Sequence, residues 1–240
     1  VPLAVVLANP EMARAAAAGL KKQSAKLANG TTINAWLAVP AKTPAPAIVT
    51  IHEWWGLNDQ IKSVTAEYAK QGFLALSIDL MGGAVATAPE AAKAQMAAVD
   101  SATATETAAH WVKWMRAHAA SNGKVGTVGW CFGGGWSLNA SIAAPVDATV
   151  VYYGNVSRAA TDLKKLKGPV LGHFATEDQW INRAMVDGFE SAMKVADKRL
   201  TTHWYEANHG FANPTGTRYD EADTQLAWSR TLAFFKKNLS

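Results

Sequence analysis

The stretch Gly129-Trp130-Cys131-Phe132-Gly133 leaves a chain few ways to fold. The run Val125 to Val128 before it reads as a buried strand, and Gly134-Gly135-Trp136-Ser137-Leu138 after it opens a helical pattern. A Gly-x-nucleophile-x-Gly turn between strand and helix is a nucleophile elbow, which holds its central residue strained with the reactive atom above the sheet. The flanking glycines are needed because a bend this sharp brings backbone turns together, where a Cβ would clash. The central residue is Cys131, the only cysteine in the chain. The first N–H groups of the following helix favour a thiolate at that point. Taken alone, the pentapeptide fits a buried structural cysteine equally well, and its partners elsewhere must decide.

Strand and helix patterns alternate along the rest of the chain. Residues 10 to 27, Ala-rich with Met12, Leu20 and Leu27, read as a helical arm, so residues 1–29 are expected to precede a single domain over 30–240. Thr31 to Val39, Ala47 to Ile51, Phe73 to Ile78, Lys124 to Gly129, Val146 to Tyr153, Pro169 to Phe174 and Thr201 to Tyr205 read as strands. Several are nearly continuous apolar runs, the mark of a strand covered on both faces. Helices are predicted from Asp59 to about Gly72 and over Ala91 to Ala98, Thr103 to Ser121, Met185 to Val195 and Asp220 to Leu239. This alternation predicts an α/β fold, a mostly parallel central sheet with helices on both faces.

Composition narrows the class. With 240 residues, 49% hydrophobic and 18% charged, the chain can bury one large core. The net charge of +4 is scattered, and its densest groups, Lys164-Lys165 with Lys167 and Lys236-Lys237, sit in helical or terminal contexts. A nucleic-acid partner is therefore not expected. No stretch approaches the ~18 apolar residues of a spanning helix, so no membrane partner is expected either. A single cysteine excludes an intramolecular disulfide and leaves the redox compartment open. The apolar start, Val1 to Ala8, fits the end of a trimmed leader or a terminus packed on the domain.

In an open α/β sheet, ligands bind beyond the carboxyl ends of the strands. Four predicted strand ends carry reactive groups: Glu53, Cys131, Asp178 and His209. The order nucleophile, acid, histidine is that of α/β-hydrolases. Each role answers a need. A thiol of ordinary pKa is mostly protonated at neutral pH, and His209 can take its proton and later protonate a leaving group. Asp178 can hold the imidazole in one tautomer and stabilise its charged form, although the adjacent Glu177 offers the same chemistry. The tetrahedral oxyanion needs backbone N–H donors, for which Phe132 and Trp54 are placed. His173 and His203 fall inside strands, and His110 and His118 inside a helix, which suits them less to catalysis.

At these residues the sequence resembles the dienelactone hydrolase family. The resemblance is carried by Ile51-His52-Glu53-Trp54-Trp55-Gly56-Leu57-Asn58, Ile78-Asp79-Leu80, Gly129 to Gly134, His173-Phe174-Ala175-Thr176-Glu177-Asp178 and His209-Gly210-Phe211-Ala212. It spans about residues 30 to 240. It implies a Cys131-Asp178-His209 triad, an oxyanion hole of the Phe132 and Trp54 amides, and a Glu53 that reaches the thiol region and helps control its ionisation. It implies hydrolysis of esters or lactones with no metal or organic cofactor, and residence in the cytoplasm. The apolar start leaves the periplasm or secretion open, and a monomer or small homo-oligomer is expected.

Two departures bear on the substrate. Members that act on dienelactone carry two arginines for its carboxylate. Here one segment reads Asp79-Leu80-Met81-Gly82-Gly83 and the other position is Asn213. Neither Gly nor Asn replaces the charge and bidentate geometry of arginine. Trp54, Trp55, Trp130, Trp136 and Trp180 flank the proposed site instead, of which two or three are expected to face it. Trp55, Trp130, Trp180 and Asn213 are thus the substrate-binding candidates, for a neutral acyl or aromatic group. The expectation is a cysteine-dependent ester or lactone hydrolase working through a thioester. The alternative is a ligand-binding or thiol-sensing protein on the same fold, since fold alone does not guarantee activity.

Overall fold

The computed structural model describes residues 9–240. The apolar start read as a leader end or packed terminus lies outside the described residues. Eight strands form one sheet: β1 (Lys21–Lys26), β2 (Thr32–Ala38), β3 (Ala45–Ile51), β4 (Leu74–Ile78), β5 (Ser121–Trp130), β6 (Ala148–Tyr152), β7 (Val170–Ala175) and β8 (Leu200–Tyr205). Their spatial order is β1-β2-β4-β3-β5-β6-β7-β8. The pairs β1/β2 and β2/β4 are antiparallel, and every pair from β4/β3 to β7/β8 is parallel.

The apolar runs follow from burial on both faces. Successive side chains of a strand point to opposite sides. Ile48 of β3 therefore packs on one side, while Val49 and Ile51 pack on the other. Ile61, Val64 and Tyr68 of the helix Asp59–Lys70, with Phe235 and Leu239 of Glu221–Leu239, cover the first face. Trp111, Val112 and Met115 of Ser101–Ala117, with Trp136 and Ala140 of Phe132–Ala143, cover the second. Each large apolar side chain buried in this way contributes roughly 1.5–3 kcal/mol. Helix starts follow local chemistry. The side chains of Asn58, Asp100 and Asp220 accept the N–H groups of Ile61, Thr103 and Asp223 as N-caps.

The first described segment departs from the predicted helical arm. A helix runs only over Pro10–Ala18, and Lys21–Lys26 is strand β1, paired with β2 from Lys21↔Leu37 to Lys26↔Thr32. A largely exposed edge strand has no buried face to impose alternating hydrophobicity. Lysines at such an edge also discourage pairing with another chain. The sequence Lys-Lys-Gln-Ser-Ala-Lys carries the ladder without the pattern that reveals one.

Candidate active site

The elbow forms as its sequence predicts. Strand β5 ends at Trp130, the helix Phe132–Ala143 begins one residue later, and Cys131 between them has φ 54° and ψ −116°. A positive φ in a non-glycine residue costs about 1–3 kcal/mol and persists only where its surroundings fix it. Here the Cys131 N–H donates to the Tyr152 carbonyl at 3.0 Å, and the Cys131 carbonyl accepts from the Gly134 and Gly135 N–H groups at 3.0 and 3.3 Å. The thiol stands at the start of the following helix, where the dipole is positive.

Three of the strand-end groups meet. His209 Nε2 lies 3.1 Å from Cys131 Sγ, and His209 Nδ1 lies 2.7 Å from Asp178 Oδ2. The other Asp178 oxygen accepts the Trp180 and Ile181 N–H groups, each at 2.9 Å. Burial by itself would raise the Asp178 pKa, but the His209 bond, these N–H groups and the imidazolium charge together hold it below the usual carboxylate range. Burial likewise opposes charge on His209, yet Asp178 and the Cys131 thiolate push its pKa up to about 10. The arrangement favours the charged imidazolium form of His209.

A pH dependence follows. Folding raises the pKa of His209, so its charged form stabilises the native state. That stabilisation is complete below the unfolded value near ~6.5 and is lost as pH rises through about 10. Urea unfolding of wild type and His209→Gln is expected to show a wild-type advantage of roughly 1–3 kcal/mol near pH 6 that shrinks as pH rises above ~6.5 and is gone above about pH 10. An advantage that grows with pH would contradict the assignment.

Glu177, the alternative acid, is exposed and accepts a hydrogen bond from Asn208 Nδ2 at 2.8 Å. Asp178→Asn is therefore expected to lower turnover on the order of 100-fold or more by disturbing the imidazole tautomer, and Glu177→Gln less than about threefold. Steady-state rates of the two variants check this, and the reverse ranking would move the acid to Glu177. Three of the other histidines lie away from the thiol. His173 is buried in β7 between the Tyr205 and Thr231 hydroxyls, and His110 and His118 lie in or at the end of Ser101–Ala117.

The loop after β3 faces the elbow. Phe132 is the first residue of its helix, so its N–H has no intrahelical partner. Among the described residues the Trp54 N–H has no internal acceptor. The Trp54 and Trp55 carbonyls, by contrast, are tied down by Gln95 Nε2 at 2.6 Å and by the Ala86 N–H at 2.9 Å. The segment Gly82–Ala88 thus lies against the loop.

Glu53 is buried at 5% exposure. Asn213 Nδ2 donates to one of its oxygens at 2.6 Å, and the Tyr153 hydroxyl donates weakly to the other at 3.4 Å. Burial raises its pKa, against the lowering influence of the His209 charge, the Asn213 and Tyr153 bonds and the Arg218 charge. Its carboxylate feels His209 without a hydrogen bond to the thiol among the described residues.

Two of the substrate-binding candidates are buried. Asn213 is buried, its amide donates to Glu53, and its carbonyl oxygen accepts from the Thr215 N–H and hydroxyl. Trp130 is 6% exposed and packs on Tyr152, with ring centroids 5.5 Å apart, as part of the core. Trp136 is also buried. Trp54 and Trp55 are half-buried and pack edge to face, and Trp180 is 58% exposed with its ring edge-on to His209 at 5.3 Å.

Sequence reasoning passed over three neighbours. Tyr153, at φ 35°, packs its ring 5.2 Å from that of His209. Its place directly after β6 at the carboxyl edge was a usable signal. Arg218 sets its guanidinium 5.3 Å from the Trp180 ring, and Gln95 reaches the Trp54 carbonyl from a distant helix. Neither carries a local signal. Among the described residues no group of three or more His, Cys, Asp or Glu side chains is placed to hold a metal ion, and no helix is long and apolar enough to cross a membrane.

A parallel sheet wound with helices, a nucleophile-type elbow after β5, and acid and histidine beyond β7 and β8 define an α/β-hydrolase fold. The sequence model of the dienelactone hydrolase family matches residues 33–239, and the chain belongs to that family. It is an enzyme of the ester- and lactone-hydrolysing class. The carboxymethylenebutenolidase of Pseudomonas putida is 30% identical over 221 residues, 86% of this chain and 92% of the relative. Protein usf of Aquifex pyrophilus is 29% identical over 225 residues, 88% of this chain and 96% of its own. Among solved structures, a dienelactone hydrolase-like promiscuous phosphotriesterase from metagenomic libraries superposes with TM-score 0.83 at 21% identity, over 92% of this chain and 99% of that one.

Proposed function

We propose that the protein hydrolyses neutral carboxylic esters or lactones with an acyl or aromatic group, using Cys131 as nucleophile. The observation that carries this reading is the hydrogen-bonded row Asp178–His209–Cys131 at the elbow, with links of 2.7 and 3.1 Å. The thiolate attacks the carbonyl carbon, and the oxyanion is held by the Phe132 and Trp54 N–H groups. Collapse expels the alkoxide, which takes its proton from the His209 imidazolium, and leaves a thioester on Cys131. Neutral His209 then accepts a proton from water as the water attacks the thioester. The second oxyanion collapses to release the acid and restore the thiolate–imidazolium pair. Glu53, close to His209 and held by Asn213, tunes the ionisation of the pair. Trp54, Trp55 and Trp180 are the aromatic surfaces a substrate meets.

The related carboxymethylenebutenolidases bear a lactone-hydrolase name, which supports the ester and lactone class. The substrate preference for neutral groups rests on the absence of arginine over 79–83 and on the engagement of Asn213 with Glu53. The test is hydrolysis of a short aryl ester beside an anionic lactone, before and after stoichiometric alkylation of the single thiol. Loss of aryl-ester turnover on alkylation, with little lactone activity, is expected. Faster lactone turnover would move the substrate class to acidic lactones, with Arg218 as the guanidinium at the mouth to receive them. Rapid alkylation of a protein that turns over neither compound would favour the binding or thiol-sensing role.

A further inference from the structure

We propose that His52 is a positioning residue that fixes the oxyanion-binding peptide by holding the Glu53 carbonyl. The proposal rests on the hydrolase reading above and adds a device to it. The Glu53–Trp54 peptide is a planar trans unit, so the direction of its C=O sets that of the Trp54 N–H on the opposite side. The Glu53 carbonyl meets His52 Nδ1 at 2.7 Å and accepts from the Gly56 N–H at 3.1 Å.

The tautomer of His52 is determined by its other contact. The Leu80 N–H, just beyond β4, lies 3.1 Å from His52 Nε2. A backbone N–H can only donate, so Nε2 carries a lone pair and the ring proton is on Nδ1, where it points at the Glu53 carbonyl. Asp79 stands 4.0 Å from Nε2, with its oxygens accepting the Met81 and Gly83 N–H groups. The ring is fully buried, and burial outweighs that carboxylate in keeping it neutral.

The same ring also touches the other half of the hole. It stacks on Phe132, with centroids 5.7 Å apart and planes 18° apart, and Phe132 supplies the second N–H. The two halves are pressed together at Gly133, where a Cβ would lie 2.2 Å from the Ile51 carbonyl oxygen and 2.4 Å from that of His52. A peptide that rotated here would turn a carbonyl oxygen towards the developing oxyanion. Filling the core requires a ring of this size but not a donor on Nδ1.

Two substitutions separate the two hydrogen bonds. His52→Asn keeps a donor near the Nδ1 position and loses the acceptor for Leu80, whereas His52→Gln reaches the Leu80 N–H and loses the short donor. With an activated aryl ester, His52→Gln and His52→Ala are expected to lower kcat on the order of 100-fold with little change in KM, and His52→Asn less than about tenfold. Alkylation of Cys131 by iodoacetamide, a displacement at a saturated carbon that forms no oxyanion, is expected to stay within about twofold of wild type in all three. A parallel loss of alkylation and turnover, or an Asn variant as poor as Ala, would overturn the proposal. Nitrogen NMR of the wild-type imidazole provides a check without any variant: a His52 protonated on Nε2 would overturn it too. Wild type without Cys131-dependent turnover would instead defeat the hydrolase reading, and this proposal with it.

Discussion

Cys131→Ala is expected to leave a folded protein whose turnover of an activated aryl ester is lower by about 10⁴-fold or more. In the proposed mechanism the loss is large because attack by sulfur has no substitute in the site. His209 and Asp178 form the row that would serve it, and the proposed oxyanion hole would stabilise an addition that no longer has a protein nucleophile. The fold should survive. Cys131 is half-buried, and alanine leaves its N–H bond to Tyr152 and its carbonyl bonds to Gly134 and Gly135 in place. Circular dichroism and rates measured on the same sample check both halves. Near-normal turnover by a folded variant would remove the thioester mechanism.

Gly129→Ala is expected to cost roughly 3–5 kcal/mol or to prevent folding. A Cβ at Gly129 would lie 1.9 Å from the Gly133 oxygen and 2.2 Å from its carbonyl carbon. These are backbone atoms of the turn that must close over Cys131, so no side chain can swing away to make room. Gly188 is a control on the same chemistry. It lies on the helix Arg183–Val195 with nothing within 4 Å of its would-be Cβ. Gly188→Ala is expected to stabilise by about 0.5–1 kcal/mol through helix propensity. Urea midpoints of the pair give the answer, and a Gly129→Ala protein as stable as wild type would show that the elbow can open without loss.

The interior of the sheet was legible because β3, β6 and the half of β5 from Val125 onward are covered on both faces and run mostly apolar. The meeting of Cys131, Asp178 and His209 was legible for a topological reason: parallel strands deliver their carboxyl ends to one edge whatever the loop lengths. Strand β1 escaped because Lys21–Lys26 is held by backbone pairing and not by a buried face. The burial of Trp130 and Asn213 was not legible because adjacency in sequence does not say on which side of the sheet a side chain emerges. Trp130 turns into the core against Tyr152, and Asn213 turns to a buried carboxylate. Arg218 and Gln95 act across the fold from positions with no local mark. The bond between His52 and the carbonyl next to it depends on a peptide plane that no residue pattern encodes.

The solitary thiol has a consequence for chemical repair. A half-buried cysteine whose sulfur touches a histidine is the kind of sulfur that peroxide converts to a sulfenic acid. In many proteins a second cysteine traps that species as a disulfide and so keeps it from further, irreversible oxidation. This chain has no other sulfhydryl to offer. Trapping an oxidised Cys131 as a disulfide therefore needs a thiol from outside this chain, so its rescue is governed by the reductant around the protein and not by a second cysteine within this sequence.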